Sequence, residues 1–285
     1  MKRRSFLIGG AACFAAPAFA GSPVMNAIAQ YEASTGGHVG LYAENLHTGR
    51  KLTWRSDERF VMCSTVKASI TACILSQVDR GAIHLEDTIR FGAGDVEGWY
   101  APVAIKNVSR GRLSIGEMCK AAIEESDNVC ANFLLTRLGG PAAMTAYWRG
   151  LGDRITRLDD PEPALNRTPL GDVRNTTTPA AMAGTLRRMV LGSALSPTSR
   201  ADLLTWMVGC KTGAHRLRAG LPDSWRIADK TGNNGKDGAG DIAVVWPKKD
   251  VPIVISAYTR GGTPTEEQFQ ALFAGLGHAV AAKLA

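Results

Sequence analysis

The chain has 285 residues, 45% hydrophobic and 21% charged, enough for a soluble protein with one large core or two smaller ones. Its formal charge is +7, yet the basic residues are scattered and no basic stripe or interleaved aromatics appears, which argues against nucleic-acid binding. Five histidines without ligand spacing, and cysteines without a C-x-x-C pair, argue against a metal centre.

Lys2-Arg3-Arg4, the apolar segment 6–16 and Ala18-Phe19-Ala20 read as an export signal over residues 1–20. Arg3-Arg4 ahead of Ser5-Phe6-Leu7 resembles a twin-arginine signal. Loss of this segment removes three basic residues, lowers the charge to +4, and leaves no apolar run long enough to serve as a membrane anchor. The expectation is a periplasmic or secreted monomer. Lipid attachment at Cys13 is disfavoured, because Gly10-Ala11-Ala12 lacks the usual leucine. Cys63, Cys73, Cys119, Cys130 and Cys210 remain, so an exported chain keeps at least one free thiol.

In residues 22–33, Val24, Ala27, Ile28 and Tyr31 recur at helical spacing until Gly36-Gly37 stops the helix. Residues 38–43 then read as a strand, 45–49 as a turn and 51–54 as the hairpin partner. Past Arg59 the pattern is helical, with capping signals at Ser114-Ile115-Gly116-Glu117, Thr178-Pro179 and Ser196-Pro197. Strands return at 225–229, 241–246 and 252–258, and Thr265-Glu266-Glu267-Gln268 opens a last helix. This order predicts an α+β fold: one antiparallel sheet built from both termini and flanked by helices, residues 21–58 and 211–285. An all-helical domain, 59–210, is inserted between its halves, and a cleft between the two is where a site is expected.

The chemistry gathers around Cys63-Ser64-Thr65-Val66-Lys67. On a helix, Ser64 and Lys67 share one face, which sets a hydroxyl beside an amine. Serine becomes nucleophilic when a base takes its proton, and a lysine of depressed pKa can be that base. The helix N-terminus favours an oxyanion at the same place. Ser126-Asp127-Asn128 follows a helix and can aim a proton-relaying hydroxyl and a carbonyl-binding amide at one ligand. Lys-Thr-Gly occurs twice, as Lys211-Thr212-Gly213 and Lys230-Thr231-Gly232. The second directly follows the strand at 225–229 and is therefore taken to line the cleft. Lys230 and Thr231 would hold a carboxylate, and Gly232 would admit the ligand to the backbone.

In this order the three motifs resemble the set of class A β-lactamases and penicillin-binding proteins. Glu162-Pro163-Ala164-Leu165-Asn166 looks like the E-P-x-L-N loop of class A β-lactamases, and Asn175-Thr176-Thr177-Thr178-Pro179 is close to their D-T-T-T-P. The resemblance implies that family's two-domain fold and hydrolysis of the lactam amide of penicillins and cephalosporins through an acyl-enzyme on Ser64, without metal or cofactor. Lys67, or Glu162 through a water, would accept the Ser64 proton, and the backbone N–H groups of Ser64 and Asn233 would form the oxyanion hole. Ser126 would protonate the departing nitrogen and Asn128 would bind the acylamide side chain. Glu162 with Asn166 would hold the deacylating water, while Tyr100 would wall the cleft mouth. A DD-peptidase would share Ser64, Lys67, Ser126, Asn128 and Lys230 but has no need of the Glu162 loop. A non-catalytic sensor domain would usually be joined to a membrane segment.

The chain also departs from that family. Where many members carry an arginine on the strand after K-T-G, Ala239 stands here; His215-Arg216-Leu217-Arg218 is similar to the H-R-x-R segment of others and gives Arg216 the substrate carboxylate. Cys63 occupies a place from which carbapenem-hydrolysing members form a disulfide, but Asn233-Asn234 fills the partner place. Cys119 matches a second disulfide position whose usual partner place holds Thr71, and Cys73 lies roughly 200° further around a helix. The arginine and aspartate that pin the Glu162 loop in most members are replaced by Asp160 and Asn175. The expected substitute is a hydrogen bond from the Asn175 amide to the Asp160 carboxylate, helped by Arg157 or Arg174.

Overall fold

The computed structural model describes residues 23–285; the export signal, its paired arginines and Cys13 lie outside the described residues. The chain opens with α1 (Pro23–Thr35), β1 (His38–Asn45), β2 (Lys51–Trp54) and the two-residue strand β3 (Phe60–Val61). A 3-10 turn over Cys63–Thr65 leads into α2 (Val66–Val78). Next come β4 (Thr88–Arg90), α3 (Ala93–Val96), α4 (Pro102–Lys106), β5 (Arg112–Ser114), α5 (Ile115–Glu124), α6 (Asn128–Arg137) and α7 (Pro141–Gly150). Beyond a long loop lie β6 (Thr176–Thr177), α8 (Pro179–Val190), α9 (Pro197–Val208), β7 (Arg226–Asn233), β8 (Ala239–Trp246), β9 (Ile253–Arg260) and α10 (Glu266–Leu284).

Five strands pair antiparallel in the order β2-β1-β9-β8-β7, so the sheet is assembled from both ends of the chain. Alternate residues of each strand face opposite sides. Leu41, Ala43, Val245 and Ile255 meet Ile28, Tyr31, Phe269 and Phe273 of the terminal helices α1 and α10. Val244, Val254 and Tyr258 face the other way and join the core of the helical part. Because both faces are covered, β8 and β9 are buried along nearly their whole length rather than on alternate residues.

At the centre of the helical part, α2 is buried on every side from Val66 to Ser76, its polar Lys67, Ser69 and Thr71 included. Burying Ile70, Ile74 and Leu75 stabilises the fold by about 1.5–3 kcal/mol each. The capping signals hold: Ser114 and Glu117 cap α5 reciprocally, as Thr265 and Gln268 cap α10, while Thr178 and Ser196 cap α8 and α9.

Two expectations need correction. Residues 59–210 are not wholly helical, since β3 pairs with β6 and β4 with β5. Lys230-Thr231-Gly232 does not follow a strand that ends at 229; β7 continues through it to Asn233, held by eight residue pairs with β8. No disulfide joins cysteines among the described residues, and Cys63, Cys73, Cys119, Cys130 and Cys210 are all buried thiols. Cys119 lies against the Thr71 hydroxyl rather than a second sulfur.

Candidate active site

A cleft of about 310 Å³ runs between the sheet edge at β7 and the helical part. Ser64, Tyr100, Ser126, Asn128, Glu162, Asn166, Arg216, Thr231, Gly232 and Asn233 line it, and the buried Lys67 and Lys230 reach the same groups from below. All twelve residues singled out from the sequence therefore converge.

Ser64 sits in the 3-10 turn that begins α2, after Cys63 at a left-handed φ of 48°. A non-glycine residue there costs energy and is held by its surroundings. Here the thiol packs on the Gly238 carbonyl and Thr65 bonds Tyr258 of β9 at 2.9 Å. The sheet edge is equally close, since a Cβ on Gly232 would come within 2.9 Å of Ser64 N. Only glycine admits that approach. Burial pushes the Cys63 thiol far up, so it does not compete with Ser64 as a nucleophile.

Lys67 Nζ donates to Ser126 O at 2.7 Å, to Ser126 Oγ at 3.3 Å and to Asn128 Oδ1 at 2.5 Å, and lies 3.3 Å from Glu162 Oε1. Complete burial lowers its pKa to about 8, helped by the nearby Lys230 and opposed by Glu162. Ser64 Oγ itself donates to Glu162 Oε1 at 3.2 Å. The middle residue of the second motif holds structure together: Asp127 caps α6 through Cys130 N and receives Val103 N and Ala104 N, which fixes α4 beside the cleft. Asn128 N bonds the carbonyl of Tyr100, whose ring stands exposed at the mouth.

Glu162 is buried, follows a loop rather than a helix, and joins Pro163 by a cis peptide bond. Asn132, four residues past Asn128 on α6, grips it from both sides: Oδ1 receives Glu162 N and Nδ2 donates to Glu162 O, each at 3.0 Å. Asn166 Nδ2 donates to Glu162 Oε2 at 2.5 Å, while Asn166 Oδ1 is buried without a partner. At the loop base the Asn175 amide donates to Asp160 Oδ2 at 2.9 Å, the bond expected from the sequence. Neither arginine assists, because Arg157 pairs with Asp159 and Arg174 with Asp172. Asn175 instead adds a bond to Thr168 and receives the backbone N–H groups of Asp159 and Asp160.

On the opposite wall, Lys230 Nζ donates to Ser126 Oγ at 3.1 Å and to Thr231 O at 2.7 Å, its pKa lowered mainly by burial. Arg216 is buried against the rings of Phe269 and Phe273, pairs through Nη2 with Glu266 at 3.1 Å, and leaves Nη1 without a partner. The first Lys-Thr-Gly copy is only partly a decoy. Thr212 bonds Thr231 at 2.5 Å and lines the cleft, whereas Lys211 pairs with Glu125 and Gly213 packs on the Asp229 carboxyl. Sequence reasoning missed Thr212, Asn132, Glu266 and Gln270; only Asn132, one helical turn after Asn128, carried a local signal.

Comparison with known proteins agrees with this geometry. The family model described as the β-lactamase enzyme family matches residues 23–284. The β-lactamase of Mycobacterium tuberculosis is 43% identical over 272 residues, covering 93% of this chain and 87% of the relative. β-Lactamase L2 of Stenotrophomonas maltophilia is 40% identical over 269 residues, covering 94% and 88%. A solved ancestral class A β-lactamase superposes with a TM-score of 0.86 at 46% identity, covering 91% of this chain and 99% of that one. With matches that span the described residues from end to end, the chain belongs to the β-lactamase family, in its class A.

Proposed function

We propose that the chain hydrolyses β-lactam antibiotics, penicillins and cephalosporins among them, through an ester on Ser64, and thereby confers resistance. One observation carries the reading: a buried carboxylate, Glu162, lies against both Ser64 Oγ and Lys67 Nζ on a loop gripped by Asn132 and Asn166. Such a group serves to free the ester, and a DD-peptidase that keeps its acyl group has no use for it.

Ser64 Oγ attacks the lactam carbonyl carbon while its proton passes to Glu162 or to the neutral fraction of Lys67. The backbone N–H groups of Ser64 and Asn233 hold the oxyanion. As the C–N bond breaks, the nitrogen takes the proton of Ser126 Oγ, which is restored from Lys67 or Lys230, both hydrogen-bonded to it. Lys230, Thr231 and Arg216 Nη1 hold the ring carboxylate, Asn128 binds the acylamide group and Tyr100 closes the mouth. Glu162, ionised again once any proton it took has passed to Lys67 3.3 Å away, then with Asn166 deprotonates a water that attacks the ester carbonyl, and Ser64 Oγ leaves with that proton. The reaction uses no metal or cofactor, and the export signal supports action outside the cytoplasm.

The test is a chromogenic cephalosporin added to the mature protein. Continuous turnover is expected; one stoichiometric burst without turnover would mean a DD-peptidase or a sensor. Ser64→Ala should lower turnover on the order of 10⁶-fold, with no acyl adduct by mass spectrometry. An adduct on Ser126 or Cys63 would overturn the assignment.

A further inference from the structure

Glu266 is the first residue of α10, behind the capping Thr265, where a carboxylate is favoured by the helix dipole. Its side chain is 47% exposed yet tied along the cleft wall to Arg216, Asn233 and Gln270. Oε1 meets Arg216 Nη2 at 3.1 Å and Oε2 receives Asn233 Nδ2 at 2.9 Å. The Arg216 guanidinium is thus divided: Nη2 is neutralised by Glu266, and Nη1, buried and unpartnered, is left for the ligand. The guanidinium carbon lies 5.7 and 5.1 Å from the ring centroids of Phe269 and Phe273.

We propose that Glu266 is a specificity-determining residue that favours β-lactams carrying a cationic group on the ring carbon next to the carboxylate-bearing one, and disfavours anionic groups there. The inference rests on the hydrolytic reading above and deepens it. In a fused β-lactam the carboxylate and that neighbouring substituent sit on bonded ring atoms. Once the carboxylate is on Arg216 Nη1, the substituent lies within a few bonds of Nη2, where the wall is made by Glu266 and Gln270. A cation there meets an accessible carboxylate whose own partners are fixed; an anion meets like charge. For so exposed a group the discrimination is about two- to fivefold, the range of a surface ion pair.

The experiment compares two cephalosporins with the same amide side chain, one bearing a 3-pyridiniomethyl and the other a 3-acetoxymethyl group. In the unmodified enzyme the ratio of their kcat/KM values, cationic over neutral, should fall as salt is raised, because screening acts on the Glu266 contact. In Glu266→Gln, whose amide still accepts from Arg216, the ratio should drop about two- to fivefold and lose its salt dependence. An equal loss for both substrates would reduce Glu266 to a support for Arg216 and overturn the proposal, as would a salt-independent ratio in the unmodified enzyme, which needs no variant to fold. Absence of turnover with both compounds would instead overturn the hydrolytic reading itself.

Discussion

Glu162 touches both candidate partners of the nucleophile, so its removal separates the two halves of the reaction. In Glu162→Gln the ester should still form through Lys67, while its hydrolysis slows by about 10²–10⁴-fold. The pH dependence identifies the base. Burial lowers the Lys67 amine to about 8, and the Glu162 charge raises it against that trend. Without the carboxylate the amine is freed of its proton at still lower pH, and the rise of acylation rate with pH should shift to a midpoint below 8. Quenched-flow mass spectrometry of the Ser64 ester across the neutral range would measure it; a midpoint at or above 8 would exclude Lys67 as the base. Every residue of this chemistry was legible, because Ser64, Lys67, Ser126, Asn128 and Glu162 lie in short motifs. Glu266 was not: its part depends on Arg216 and Asn233, far away in sequence and brought together only by the terminal helix.

The loop that carries Glu162 is the element whose stability bears most directly on turnover. Asn175 holds its base from a left-handed φ of 56°, a conformation asparagine tolerates and alanine does not favour. It is also buried and bonds Asp159, Asp160 and Thr168. Asn175→Ala leaves the Asp160 carboxylate and two backbone N–H groups short of a partner. The expected cost is about 2–4 kcal/mol, read as a fall of roughly 5–10 °C in Tm. A loosened loop should also raise turnover of bulky oxyimino-cephalosporins relative to penicillins, checked by paired kinetics. If Tm and the substrate ratio both stay put, Asn175 does not hold the loop. The Asn175–Asp160 bond could be inferred from sequence because the two residues replace another complementary pair. The unassisted geometry could not, since Arg157 and Arg174 each find a nearer aspartate two residues along the chain.

At the scale of the whole molecule, the two halves of the site are held in register where β7 meets the start of α2. Gly232 and Gly240 face Ser64, Thr65 and Tyr258 so closely that no side chain fits. Gly232→Ala should push the strand away by a few tenths of an ångström to an ångström, and a shift of that size lowers kcat/KM by about 10²-fold. Steady-state kinetics beside a melting curve would check it, and activity within a few-fold of the parent would show that the seam can yield. That one sheet is built from both ends of the chain was readable from the strands there, whereas the closeness of this seam rests on contacts between distant segments. The same sheet carries a consequence for how the molecule comes into being. Its second and third strands, β1 and β9, pair Val39 with Thr259, and Asn45 bonds the Leu284 carbonyl, so the first strands synthesised wait for almost the last. Closing so long a loop costs entropy before any contact offsets it, and high contact order places folding at the slow end for a chain of this size. Yet α1 and α10 run antiparallel against each other, Tyr31 stacking on Phe269 and Ala27 lying beside Gly275. The start of one helix therefore adjoins the end of the other, and joining them while opening the chain at 247–251 would make β9, α10, α1 and β1 consecutive. The entropy cost of pairing β1 with β9 thus belongs to the connectivity of the chain, not to the shape it reaches.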